Sequence, residues 1–70
     1  MKRRELLKKI YEAARLRGIY VTHREGGSHT VLTVGSSKVS VPRHREITSG
    51  TLRIIVRTLE SELGKDWLQQ

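Results

Sequence analysis

Residues 19–42, IYVTHREGGSHTVLTVGSSKVSVP, decide the fold of this chain because their apolar side chains alternate with polar ones. Such alternation is typical of β-strands, in which successive side chains point to opposite faces. Glycine- and serine-rich stretches at 25–28 and 35–37 interrupt the pattern and predict turns. The segment therefore predicts an antiparallel meander of three strands. These strands cover residues 19–24, 30–34 and 38–41.

One face of the predicted meander is apolar, and the opposite face is rich in Thr, Ser and Lys. The inward-facing residues of the second and third strands are Leu32, Val34, Val39 and Val41. His23 shares a side of the first strand with Ile19 and Val21, so we expect its imidazole to be partly buried. Pro42 ends the third strand, because proline has no amide hydrogen to give to the ladder.

Helical periodicity flanks the meander on both sides. Residues 3–17 carry apolar side chains at three- and four-residue intervals, and Gly18 is placed to end the helix. A second helix is predicted to start at Thr48 or Ser49 and to end at Gly64. Its apolar stripe comprises Leu52, Ile55, Val56, Leu59 and Leu63. The order helix, three strands, helix predicts an α+β fold with both helices on one face of the sheet.

A chain of 70 residues is long enough for one small domain. We therefore predict a single domain over residues 1–70, in which residues 65–70 form a C-terminal extension. Trp67 and Leu68 of this extension either pack against the body of the domain or form an exposed adhesive surface. Both alternatives are open on the sequence alone.

The chain is strongly basic: 14 Lys and Arg against 7 Asp and Glu give a net charge of +7. So high a net positive charge on a small domain favours an anionic partner, either a nucleic acid or an acidic protein. The sequence has no cysteine and no apolar run near the ~20 residues of a membrane span, and its charged start, MKRRELLKK, lacks the apolar stretch typical of a signal peptide. We therefore expect a cytoplasmic protein without disulfides that does not bind a membrane.

His29 stands between a diglycine turn and the second strand. Gly26 and Gly27 permit positive φ and let a bulky ligand approach the backbone, and Ser28 adds a hydroxyl group. An imidazole, whose ordinary pKa is about 6.5, both accepts and donates protons near neutrality, as cleavage of an RNA phosphodiester requires. A histidine after a glycine turn is also a common surface residue, so local sequence leaves both interpretations open.

A second candidate site precedes the last helix. Arg43 and Arg45 stand just before a helix start whose small residues expose backbone amides, an arrangement that suits an anion. An ordinary capped helix with solvated arginines would read the same way. Cations at residues 2–4, the positive end of the first helix dipole, are a further hint of a phosphate. The candidate RNA- or phosphate-binding residues are Arg24, Lys38, Arg43, Arg45, Ser49, Thr51 and Arg53.

Several classes of site are absent from the sequence. The spacing of His23, His29 and His44 matches no zinc-binding pattern, so we predict neither a metal nor a cofactor. There is no glycine-rich P-loop, paired-carboxylate site or nucleophile elbow. His44 itself either caps a loop or stands near the mouth of a phosphate site.

Three motifs taken together, GGSH (26–29), VSVPRH (39–44) and EITSGTLRIIV (46–56), resemble the HicA family of toxin ribonucleases. The resemblance covers the chain from the first helix to about Leu63. It implies a fold like the double-stranded-RNA-binding domain, metal-independent cleavage of mRNA without a small-molecule ligand, and inhibition by a HicB-like antitoxin. The chain departs from the family pattern at Arg43, where a smaller residue is common, and in running past Leu63.

The resemblance also implies roles for individual residues. The family's catalytic histidine falls on His29, supported by Gly27 and Ser28, and His44 matches a structural or substrate-positioning histidine. We expect His29 to take the proton of a ribose 2′-hydroxyl or to protonate the leaving 5′-oxygen, with arginines and backbone amides stabilising the phosphate. A second acid/base group is not evident. The alternatives are a non-catalytic RNA-binding module of the same fold and a basic adaptor that docks another protein through Trp67 and Leu68.

Overall fold

The computed structural model describes residues 1–69, which form a helix, three strands, a second helix and a short 3-10 helix. The elements are α1 (Arg3–Leu16), β1 (Val21–Glu25), β2 (His29–Val34), β3 (Ser37–Pro42), α2 (Ser49–Leu63) and the 3-10 helix (Trp67–Gln69). This order confirms the predicted α+β fold. Gln70, the last residue of the predicted extension, lies outside the described residues.

The three strands form one antiparallel sheet in the order β1-β2-β3. Leu32 of β2 lies opposite His23 of β1 and Val39 of β3, so these three residues share the face that the helices cover. His29, the first residue of β2, lies opposite Pro42, the last residue of β3. β2 lies between the other two strands and has more buried residues than either of them.

Both helices pack on the apolar face of the sheet and form one core with it. Its buried residues are Leu6, Ile10, Ala13, Ala14, Leu32, Val34, Val39, Val41, Ile47, Ile55, Leu59, Leu63 and Trp67. The inward residues predicted for the second and third strands are all among them, as alternation requires.

The expectation that His23 is partly buried is wrong. Its side chain is exposed although it shares a sheet face with Leu32, because α2 packs on β3 and neither helix packs closely on β1. Only Val21 of β1 is half-buried, and the four residues after it are exposed. The core side chains of the sheet come from β2 and β3.

Trp67 packs into the core, so the alternative of an exposed adhesive surface is wrong for this residue. It is 1% exposed, and its indole Nε1 donates a hydrogen bond to the carbonyl of Val56 at 3.0 Å. Leu68 is half-buried beside it. The tail beyond α2 therefore completes the domain, and an adaptor function that depends on an exposed Trp67 loses its basis.

The helix ends follow the predicted signals. Gly18 has φ of +66° just after α1, and Gly64 has φ of +90° at the end of α2, backbone conformations that favour glycine. Thr48, and not Ser49, caps α2: its hydroxyl accepts a hydrogen bond from the amide of Thr51. No helix within residues 1–69 has the length and hydrophobicity that crossing a lipid bilayer requires.

Candidate active site

The imidazole of His29 is exposed at the first position of β2. The hydroxyl of Ser28 lies 3.2 Å from its Nδ1 and holds the ring by a hydrogen bond. Because Nδ1 is engaged by the protein, Nε2 is the nitrogen best placed to meet a substrate. The ring is therefore oriented, and it is open to solvent.

Arg43 ties together the turn that precedes His29. Its Nε donates to the carboxylate of Glu25 at 3.0 Å, and its Nη1 donates to the carbonyl of Gly27 at 2.6 Å. Its Nη2 donates to the carbonyls of Gly26 and His29. We predicted Arg43 as a phosphate ligand, but in this structure its guanidinium group clamps the turn, and Glu25 balances its charge.

The clamp extends inward through Thr30, which is buried and polar. The Thr30 hydroxyl donates to Glu25 at 2.8 Å and accepts from Nη2 of Arg3 at 2.5 Å. Arg3 also donates from Nε to the carbonyl of Pro42 at 3.0 Å. The Thr30 hydrogen bond, followed by the hydrogen bond and positive charge of Arg43, lowers the pKa of Glu25 below its ordinary value. The start of α1 is thus connected to the turn beside His29.

The glycines of this turn do not use a left-handed conformation. Neither Gly26 nor Gly27 has a positive φ, so this turn does not use the left-handed conformation that glycine permits. A Cβ added at Gly27 would meet nothing within 4 Å, and one at Gly26 would lie 3.5 Å from the carbonyl of His29. The space beside Gly27 is open, so a ligand has room to approach the backbone there.

The loop after β3 is held by the N-terminal residues of the chain. The amide of Arg3 donates to the carbonyl of Arg45 at 2.9 Å, and the amide of Ile47 donates to the carbonyl of Met1 at 2.7 Å. Ile47 anchors the loop in the core. His44, which is exposed in this loop, is therefore carried on a segment fixed at both sides.

A cavity of about 340 Å³ lies where the β1–β2 turn, the loop after β3 and the start of α2 meet. Its lining residues are Ser28, His29, Pro42, His44, Glu46, Ile47, Thr48 and Thr51. We call it the two-histidine cavity. It brings His29 and His44 together with the predicted site residues Ser28 and Thr51, and sequence reasoning did not foresee this pairing of histidines.

A second, larger cavity of about 540 Å³ adjoins the first, and His44 lines both. Its lining residues are Lys2, Arg3, Arg4, Glu5, Arg43, His44 and Arg45, and we call it the basic groove. Lys2, Arg4 and Arg45 are exposed there. Cations at the start of α1 thus stand next to the candidate site, and not on a remote face.

The remaining predicted site residues lie elsewhere. Lys38 lines a groove between β3 and α2 that His29 also lines, and it shares a depression on the outer sheet face with Arg24. Ser49 and Arg53 are exposed on α2 and line neither the two-histidine cavity nor the basic groove. Arg24, Ser49 and Arg53 are therefore not assembled with His29, whereas Ser28, Thr51 and Lys38 are.

Comparison with protein-family models, curated proteins and solved structures gave no match for this chain. The resemblance to the HicA family therefore stays a prediction from three motifs. Within the described residues 1–69, no group of three or more His, Asp or Glu side chains is arranged to hold a metal ion.

Proposed function

We propose that this chain is a metal-independent endoribonuclease that cleaves mRNA, with His29 as a general acid or base. The observation that carries this proposal is the exposed imidazole of His29, which is oriented by Ser28 and opens into the two-histidine cavity. Imidazole is the side chain most often used to exchange protons with a reacting hydroxyl or leaving oxygen. The Thr51 hydroxyl in the same cavity accepts a hydrogen bond from the Thr48 hydroxyl and can donate its own proton to a phosphate oxygen.

The basic groove supports RNA as the substrate class. A strand whose phosphate lies in the two-histidine cavity meets Lys2, Arg4 and Arg45 on passing His44. Neutralisation of phosphates by such side chains supplies most of the sequence-independent affinity for nucleic acid. The net charge of +7 adds long-range attraction.

We further propose that the chain is the toxin of a type II toxin–antitoxin pair and acts in the cytoplasm. The support is the resemblance of its three motifs to the HicA family, together with a charge suited to an acidic antitoxin of the HicB kind. A gene for a small acidic protein beside the gene for this chain is the expected genetic arrangement.

The second candidate is an RNA-binding module without catalysis. The basic groove favours it, because binding through that groove needs no titrating group. The two candidates differ at His29: a binder retains RNA affinity and never cuts, whereas a nuclease loses cutting when the imidazole is removed.

The experiment is cleavage of a defined RNA in the presence of EDTA by the wild-type chain and by two histidine variants. His29→Ala should abolish cleavage while leaving the melting temperature nearly unchanged, because the side chain is exposed. His23→Ala is the matched control: it removes another exposed imidazole from β1, outside the two-histidine cavity, and should cut like the wild type. Undiminished cutting by His29→Ala would overturn the assignment, and RNA binding without any cutting by the wild type would favour the binding module.

A further inference from the structure

Cleavage of RNA by its own 2′-hydroxyl needs proton transfer at two places. A base takes the proton from the 2′-O–H as that oxygen attacks phosphorus, and an acid gives a proton to the 5′-oxygen as the P–O5′ bond breaks. These two oxygens stand on opposite sides of the phosphorus in an in-line displacement. A single imidazole is poorly placed to serve both in one step.

On the basis of the ribonuclease function proposed above, we propose that His44 is the second catalytic residue, working with His29 as a general acid–base pair. The two imidazoles line the same cavity of about 340 Å³. This volume falls within the range of about 300–1,000 Å³ typical of ligand sites. A phosphodiester lying in the cavity would occupy the space that both histidines line.

Two segments distant in the sequence carry the two histidines, and Arg43, next to His44, joins them. His29 is fixed by its hydrogen bond to Ser28 and by the Arg43 clamp on its turn. His44 is carried by the loop whose backbone pairs with the N-terminal residues and whose Ile47 is buried. The hydrogen bonds of Arg43 thus fix the backbone of one segment relative to the other, as a pair of residues acting on one phosphate requires.

Hydroxyl groups line the cavity beside the two rings. Thr48 and Thr51 are joined by a hydrogen bond of 3.1 Å at the start of α2, and Ser28 stands next to His29. Because Thr48 donates to Thr51, the Thr51 hydroxyl is the one suited to donate to a non-bridging phosphate oxygen, where charge accumulates as the phosphate becomes five-coordinate.

Charged groups face the pair from several elements. Glu46 lines the cavity itself and lies 3.6 Å from the amino group of Met1. Lys38 of β3 lines the groove on the other side of His29. The charged residues that line the basic groove beside His44 are Lys2, Arg3, Arg4, Glu5, Arg43 and Arg45.

The step balances without any further reactant. The neutral imidazole takes the 2′-hydroxyl proton, the O2′–P bond forms, and the P–O5′ bond breaks while the imidazolium protonates the 5′-oxygen. The products are a 2′,3′-cyclic phosphate and a 5′-hydroxyl, and the two imidazoles have exchanged protonation states.

The first measurement is the rate of cleavage of a short RNA by His29→Ala, His44→Ala, His44→Gln and the control His23→Ala. His29→Ala and both His44 variants should each lower kcat by about 10²–10⁴-fold, the usual contribution of one acid or base. His23→Ala should match the wild type. The wild-type rate should show a bell-shaped dependence on pH, and each cavity variant should lose one limb of that bell.

The second measurement uses the same RNA with sulfur in place of the 5′-bridging oxygen. A thiolate leaves without protonation, so cleavage should be restored toward the wild-type rate in the variant that lacks the acid and not in the one that lacks the base. Rescue of only one of the two alanine variants therefore supports the acid–base pair, and the histidine missing from the rescued variant is the acid. Rescue of both or of neither overturns it.

Two further outcomes separate this inference from the proposed function. In the first, His29→Ala is inactive but His44→Ala cuts at the wild-type rate, or His44→Gln raises KM and leaves kcat unchanged. Either result means that His44 is not a catalytic residue, and the proposed ribonuclease function stands. If the wild-type chain does not cut RNA, the proposed function itself fails.

Discussion

The guanidinium group of Arg43 and the carboxylate of Glu25 form an ion pair at 2.8 Å that closes the β1–β2 turn. The same guanidinium group reaches the carbonyls of Gly27 and His29, so one side chain joins the loop after β3 to the start of β2. Planar, multiply donating arginine suits this geometry. The position of the His29 backbone thus depends on a residue 14 positions later in the chain.

The Glu25 carboxylate should make the stability of the fold depend on acid. Its pKa is lowered in the folded state from an ordinary value of 4.5, first by the Thr30 hydrogen bond and then by Arg43. Its stabilising contribution is therefore complete above pH 4.5 and is lost as pH falls through the folded-state pKa. The measurement is the melting temperature of the wild type and of Glu25→Gln from neutral pH to about pH 2. The wild type should have the higher melting temperature at neutral pH, and the two melting temperatures should converge in acid.

Glu62 provides the matched control for that titration. Its pKa is lowered by hydrogen bonds from the hydroxyl and the amide of Ser36, at the opposite turn of the sheet. Glu62→Gln should also flatten the acid dependence, and it should leave RNA cleavage unchanged. A difference in melting temperature between Glu25→Gln and the wild type that is the same at every pH would contradict the ion-pair interpretation.

Replacing Arg43 by lysine should impair cleavage more than it impairs folding. Lysine keeps the charge but cannot make the fork of hydrogen bonds to three carbonyls. Displacement of a catalytic group by about 1 Å costs on the order of 10²-fold in rate, and we expect a loss of that size. Arg57→Lys, at an exposed position of α2, is the control. Faster amide hydrogen exchange at residues 26–29 should accompany the loss, and equal rates for both variants would contradict the clamp.

Gly27→Ala tests whether RNA approaches the turn backbone. The added methyl group meets no protein atom, and φ is not positive, so stability should be unchanged or raised by up to about 1 kcal/mol. Cleavage should fall nonetheless, because the methyl group occupies the space of the substrate. Gly35→Ala is the opposite case: its φ of +62° and the adjacent Glu62 carboxylate predict a clear loss of melting temperature. Wild-type cleavage by Gly27→Ala would show that no ligand comes close there.

Trp67→Ala should destabilise the domain severely. Truncation of a large buried aromatic side chain typically costs about 3–5 kcal/mol, a large part of the roughly 5–15 kcal/mol that a domain has. Tyr20→Ala removes an aromatic side chain that is 82% exposed and should change stability by less than about 0.5 kcal/mol. Denaturant unfolding of the two variants provides the comparison. Equal midpoints would mean that Trp67 is dispensable to the core.

Removal of cations from the basic groove should weaken RNA binding in a salt-dependent manner. In a His29→Ala background, which prevents cutting, Lys2→Ala with Arg4→Ala should reduce the slope of log affinity against log salt by up to about 0.7 per cation for single-stranded RNA. Lys8→Ala with Lys65→Ala removes the same charge from exposed sites outside the groove. Equal slopes for the two double variants would indicate only diffuse attraction to the net charge.

The secondary structure was predictable because it follows from local patterns. Alternation placed Leu32 and Val41 inside, a helical stripe placed Leu59 inside, and glycines marked the ends of both helices. The same alternation misjudged His23, since alternation gives the face of a side chain and not whether a helix covers it. The burial of Trp67 was undecided for the same reason: it depends on space left between elements far apart in the chain.

The sequence by itself determined the elements, their order and the inward-facing residues of β2 and β3, because each depends on near neighbours and on polarity. The tertiary structure alone decided that His44 shares a cavity with His29 and that Arg43 closes the turn. Both relationships join loops that are distant along the chain. Long polar side chains such as Arg43 have many acceptors within reach, and only the packed backbone selects among them.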